Sequence, residues 1–124
     1  MIQNGTYLNI IDNSGAKEAC CIKILKNYRQ RTAKIGQTIV VSVKSIRNKN
    51  SKIKKGDVVK ALIIHTRKTD ALKYNYYYTF FENTAVILSK QNKSLGSRIF
   101  GMIPSSIRWS KFSRMAASAF GTLK

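Results

Sequence analysis

The sequence predicts a mainly β protein: a small closed barrel followed by one or two short helices. Three observations carry that expectation. Short stretches rich in β-branched and aromatic residues recur along the first two thirds of the chain, with clusters of turn formers between them. One of these, Thr38 to Lys44, alternates cleanly, with Ile39, Val41 and Val43 on one face and Thr38, Ser42 and Lys44 on the other. Only beyond Pro104 does the apolar period become helical. In so short a chain, closing the sheet also removes the open edges that would template aggregation.

The first strand is Thr6-Tyr7-Leu8-Asn9-Ile10. It is ended by Asp12-Asn13-Ser14-Gly15, of which Asp12, Asn13 and Gly15 are read as a turn joining the first strands. Ala19 to Leu25 resumes extended, with Ile22 and Ile24 as its apolar positions separated by Lys23. Within it Cys20 and Cys21, being neighbours, should face opposite ways, one into the core and one out. Val58 to Thr66 is apolar on both faces through Ala61-Leu62-Ile63-Ile64, which predicts a central, well-buried strand. Tyr76 to Phe81 and Thr84 to Ser89 supply two more, joined by a Glu82-Asn83 turn. Pro104 with Ser105 and Ser106 reads as a helix start and Ser110 as a second N-cap, after which Phe112, Met115, Ala116 and Ala119 recur at helical spacing. The expected organisation is a single domain over residues 1–124, with the barrel and its basic loops at about 1–100 and a short helical tail at about 101–124.

The charge narrows the function. Lys and Arg total 23 against five acids, a formal net charge of +18. Such an excess repels itself in an isolated compact protein and calls for a polyanionic partner. A membrane is disfavoured, because no purely apolar run is longer than that from Ala61 to Ile64, far short of the ~20 residues a spanning helix needs. The cations gather in connections: Lys26, Arg29, Arg31 and Lys34 in one, Arg47, Lys49, Lys52, Lys54 and Lys55 in the next, Arg67, Lys68 and Lys73 in a third. One such loop would be an ordinary solvated loop. Three with almost no interspersed acid read as a phosphate-backbone footprint, to which Lys17 adds a contact.

Catalytic chemistry finds little to work with. Asp12, Glu18, Asp57, Asp70 and Glu82 form no close carboxylate pair, and His65 is the sole histidine. Cys20 and Cys21 lack the further ligands a zinc site requires, so they are read as packing residues, and no cofactor is expected. The aromatic cluster Tyr74, Tyr76, Tyr77, Tyr78, Phe80 and Phe81 admits base stacking, although alternation sends about half of it inward. A free-standing single-strand-binding barrel is therefore the rival to a structural RNA-binding protein.

Several segments, taken in order, resemble the universal large-subunit ribosomal protein L-fourteen family: MIQ…LN…DNSGAK…CIKIL, KIKKGDVVKALII, LGSRIFG and IRWSKF, together spanning Met1 to about Ala119. The family's central signature is matched by Ala61-Leu62-Ile63-Ile64, Phe80, Asn83 and Val86-Ile87, with Tyr74-Asn75 standing where an Asx-Gly pair is usual and Pro104-Ser105-Ser106 where charged residues are usual. The resemblance implies a five-stranded barrel with a C-terminal loop and short helices, and no enzymatic activity. It also implies binding of large-subunit rRNA, an intersubunit bridge to small-subunit rRNA, and ribosomal proteins L-three and L-nineteen as neighbours. A docking surface for the ribosome silencing factor, which blocks subunit joining, would include Ser97, Arg98 and Lys111, with Arg108 and Arg114 nearby. Abundant Lys, Asn, Ile, Tyr and Phe suggest an A/T-rich genome, and Met1 to Ile11 shows no targeting signature. A mitochondrial, organelle-encoded protein is expected, with a plastid or bacterial cytoplasm as alternatives.

Overall fold

The computed structural model describes residues 1–25, 29–68, 70–71, 77–108 and 110–123. Its strands are β1 (Tyr7–Ile10), β2 (Ala16–Ile24), β3 (Thr38–Ile46), β4 (Val58–His65), β5 (Asp70–Ala71), β6 (Tyr77–Tyr78), β7 (Thr84–Leu88), β8 (Ile99–Pro104) and β9 (Ala119–Leu123). Two short helices, α1 (Ser105–Arg108) and α2 (Ser113–Ala116), lie between the last two. β1, β2, β3, β4 and β7 close a five-stranded barrel in that order. Neighbours are antiparallel except at the closure, where β7 runs parallel to β1 through Asn9↔Thr84 and Ile10↔Ala85.

The barrel interior is built by alternation. Leu8 and Ile10, Ala19 and Cys21, Ile39, Val41 and Val43, Ala61 and Ile63, and Ala85 and Ile87 all pack in one buried cluster. β2 breaks the period twice. Register shifts fall between Ala16 and Ala19 and between Cys21 and Lys23, and at each shift two consecutive side chains face out. Lys17 and Glu18 form one such pair; Ile22 and Lys23 form the other. Ile22 is therefore exposed rather than sharing a buried face with Ile24, and the strand begins at Ala16, three residues before the expected Ala19.

The apolar run in β4 has its explanation in the tail. Leu62, Ile64, Val86 and Leu88 point out of the barrel, and Ile99, Ile103, Ile107, Phe112 and Met115 cover them in a second core. The tail is held by strands as well as helices. β8 and β9 pair in parallel through Ile99↔Ala119, Met102↔Gly121, Ile103↔Thr122 and Pro104↔Leu123, a pairing the helical period of the sequence did not suggest. The tail helices are short, as expected: Phe112 and Met115 are buried as their spacing requires, but Ala119, expected on the same helical face, already belongs to β9. The N-cap of α2 is Phe112 rather than the expected Ser110, whose hydroxyl instead accepts from Phe112 N at 3.2 Å. Tyr76 lies outside the described residues. Of the strand expected to run to Phe81, the described part is β6, which pairs with β5 and not with β7.

Candidate nucleic-acid interface

With strands alternating in direction, the loops divide between the two ends of the barrel. The β1–β2 turn, the β3–β4 loop and the β7–β8 connection share one end; the N-terminal segment, the β2–β3 loop and the chain around Arg67 share the other.

At the first end, residues 47–57 form a loop that its own sequence fixes in shape. Ile53, the only apolar side chain between Arg47 and Asp57, is buried in the barrel cluster and plugs that end, a burial worth about 1.5–3 kcal/mol. Asn48 Oδ1 accepts from Asn50 N at 3.1 Å, and Ser51 Oγ donates to Ile53 O at 2.6 Å. Asp57 Oδ2 accepts from Lys54 N at 2.9 Å across the turn in which Gly56 takes φ +92°. Every backbone constraint here leaves a cation outside: Lys49, Lys52, Lys54 and Lys55 are all exposed. Arg47 is exposed too, yet one guanidinium nitrogen donates to Ile10 O at 2.9 Å, giving it a structural task inside the barrel mouth. Lys17 stands exposed nearby on the bulged start of β2.

The turn beside this loop is tied to the tail. Asn13 Nδ2 donates to Ser97 Oγ at 2.8 Å, and Asn13 Oδ1 accepts from Arg98 N at 3.1 Å. Asp12 is wholly buried. Its Oδ1 accepts from Ser14 N at 3.1 Å and from the Ser14 hydroxyl, and its Oδ2 accepts from Ile87 N at 3.0 Å. Burial pushes its carboxyl above the ordinary value; the Ser14 and Ile87 hydrogen bonds and the Arg47 charge pull the other way. The DNSG turn thus sets the position of the Ser97–Arg98 backbone. Both side chains are exposed. From there the chain reaches the helices, because Ile99 N donates to Ser118 O at 3.1 Å. Ser118, Lys111 and Arg114 line one shallow groove with Lys93. Lys111 also sits 5.2 Å from the centre of the Phe112 ring. Arg108 is exposed at the end of α1 and does not line that groove.

At the opposite end, Ile2 and Ala33 exchange backbone hydrogen bonds at 2.8 and 2.7 Å and are both buried. Gln37 Oε1 accepts from Lys34 N at 3.0 Å and from Gln30 Nε2 at 3.2 Å. Arg29, Arg31 and Lys34 are exposed on this loop; Lys26 lies outside the described residues. Arg67 N donates to Asn83 Oδ1 at 2.8 Å, and Arg67 and Lys68 face solvent. Lys73 also lies outside the described residues.

From the sequence Asp12 is only a turn former, and Ile53 carries no assigned role. The lone aliphatic in a cationic loop was a visible signal for Ile53, whereas Asp12 reads like any turn-forming aspartate. The two cysteines behave as neighbouring strand residues should: Cys21 is buried, its thiol pushed up to about 11 by that burial, and Cys20 is half-buried. His65 stacks on Phe80 with ring centres 4.1 Å apart and its Nε2 donates to Met102 O at 2.6 Å. Burial lowers its pKa. No group of three or more potential metal ligands occurs among the described residues. Tyr74 and Tyr76 lie outside them, so the stacking face expected of the tyrosine cluster is not described.

Fold and surface define a class: a small closed β-barrel whose ends carry preformed cationic loops, suited to lying against a polyanion. The chain belongs to the family described as ribosomal protein L14p/L23e, whose sequence model matches residues 1–123. It is accordingly a structural protein of the large ribosomal subunit, associated with the ribosome and its rRNA.

Proposed function

We propose that this chain holds segments of large-subunit rRNA in register through the cationic loops at both ends of its barrel. The observation that supports this most directly is the 47–57 loop, where Ile53, Ser51, Asn48 and Asp57 fix the backbone and leave four lysines exposed. A loop already shaped before binding loses little entropy on contact, so its charges act on phosphates at full value. Arg29, Arg31, Lys34, Arg67 and Lys68 would serve the opposite end, and Lys17 and Arg47 the first.

The tail surface is the proposed meeting place with small-subunit rRNA and with the silencing factor. Asn13 fixes the Ser97–Arg98 backbone, and Lys111 and Arg114 share a groove one hydrogen bond away. Ribosomal proteins L-three and L-nineteen are the proposed protein neighbours. Residue usage fits an A/T-rich genome; a mitochondrial ribosome is the proposed setting, with a plastid or bacterial one as the alternative, and the genomic location of the gene tests this.

Charge reversal at Lys52, Lys54 and Lys55 tests the RNA reading. Three lost phosphate contacts should flatten the slope of log affinity against log salt by about 2–3, by analogy with duplex DNA. In cells the triple variant should sediment with free protein rather than with large subunits; full incorporation would count against the loop. Arg98→Glu should leave assembly intact while impairing subunit joining or silencing-factor binding, and normal behaviour in both assays would remove Arg98 from the interface.

A further inference from the structure

The cationic surface has an interruption. On the outer face of β1 and β2, beside the connection leading into β7, Tyr7, Asn9, Glu18, Phe81 and Glu82 line a cleft of about 310 Å³ together with Arg67. Two aromatic side chains stand in water there, Tyr7 62% and Phe81 98% exposed. Neither ring contributes much to a core, and Phe81 contributes nothing. Two of the chain's five acids share the cleft. Of the others, Asp12 is buried and Asp57 closes a turn, whereas Glu18 and Glu82 are both exposed.

Their placement is built into the fold. Asn9 and Glu18 are register partners across β1 and β2, and the bulge at Glu18 turns its side chain outward beside Lys17. Asn9 Nδ2 donates to Glu82 Oε2 at 2.9 Å, which holds that carboxylate over β1. Asn83 accepts from Asn9 through the backbone at 3.0 Å, N to O, and from Arg67 N through its side chain, fixing the segment that presents Phe81.

Aromatic faces flanked by carboxylates recognise a guanidinium or ammonium group: the ring attracts the cation, and the carboxylate pairs with it. An RNA strand would bring its phosphates against Glu18 and Glu82. A cationic peptide, conversely, is repelled by most of this +18 surface, whereas in this cleft two carboxylates outnumber the one cation, Arg67, and discriminate in its favour. We infer that the cleft receives a basic segment of another protein, with an Arg or Lys side chain laid over Phe81 and Tyr7 and paired with Glu18 and Glu82. The inference rests on no assignment of the basic loops to RNA.

The test is a titration of the isotope-labelled protein, followed by NMR, with two probes: a nine-residue peptide of alternating Gly and Arg, and a twelve-nucleotide oligouridylate. The peptide should move the signals of Tyr7, Glu18, Phe81 and Glu82, while the oligonucleotide should move those of residues 47–57 instead. The double variant Glu18→Gln/Glu82→Gln, which keeps an acceptor for Asn9, should bind the peptide at least about fivefold more weakly, and Phe81→Ala about two- to fivefold more weakly. Undiminished peptide binding by the double variant would overturn the inference, as would peptide shifts centred elsewhere. Oligonucleotide shifts centred on Tyr7 and Phe81 would also overturn it and assign the cleft to base stacking.

Discussion

Replacing Asp12 tests the idea that one buried carboxylate holds three parts of the molecule together. Its two oxygens accept from Ser14 N, the Ser14 hydroxyl and Ile87 N, and its backbone bridges Ile99. Asp12→Ala strands the N–H groups of Ser14 and Ile87 in a site closed to water. At about 1–3 kcal/mol for each buried donor left unmade, the loss should be roughly 3–5 kcal/mol. For a chain of 124 residues this corresponds to a fall in Tm of roughly 10–20 °C. Asp12→Asn keeps one acceptor and turns an amide N–H toward a donor, so it should cost about half as much. The pH response separates charge from hydrogen bonding. Because the native state raises the Asp12 pKa, it favours the protonated form; the resulting stabilisation is complete below the ordinary value of 3.8 and is lost as pH rises through the raised value. Asp12→Asn should remove that slope. Urea unfolding followed by circular dichroism across acidic pH measures both effects. A loss below about 1 kcal/mol for Asp12→Ala would refute the three-way tie.

Two further perturbations address other joints. Gly15 takes φ +102°, and a Cβ there would collide with the Cβ of Ser51; Gly15→Ala should cost roughly 2–5 kcal/mol in urea unfolding and weaken RNA binding by displacing the 47–57 loop. His65→Phe keeps the ring stacked on Phe80 but loses the bond to Met102 O, at about 1 kcal/mol near pH 8. Since burial lowers the His65 pKa, wild-type stability should decline as pH falls from 6.5 through the lowered value, and melting curves of His65→Phe should lack that part of the decline.

The barrel was legible because its signals are local. Ile39, Val41 and Val43 announce their shared face by spacing alone, and the turn formers after Ile10 and before Val58 mark where strands end. Ile22 misled because a bulge is set by the partner strand: nothing in Cys21-Ile22-Lys23 says that β3 opposes it out of step. The β8–β9 pair escaped for a similar reason. Parallel pairing joins Ile99 to Ala119 across two helices, and the helical spacing of Phe112 and Met115 concealed the return to strand. In the candidate interface, the lysines were plain from composition. What could not be read was the scaffold beneath them, since Arg47 reaching Ile10 O and Asn13 reaching Ser97 are contacts between residues 37 and 84 positions apart.

The second core has a consequence for synthesis. By the time Leu88 has been made, all five barrel strands exist, yet the outward faces of Leu62, Ile64, Val86 and Leu88 remain bare until Ile99 to Met115 follow them out. The closing ladder between β1 and β7 joins Asn9 to Thr84, so no early fragment can complete the barrel. A nascent chain halted before its last fifth would carry that apolar face uncovered beside the ribosome's own RNA. Stalling there should expose that face to chaperones and proteases.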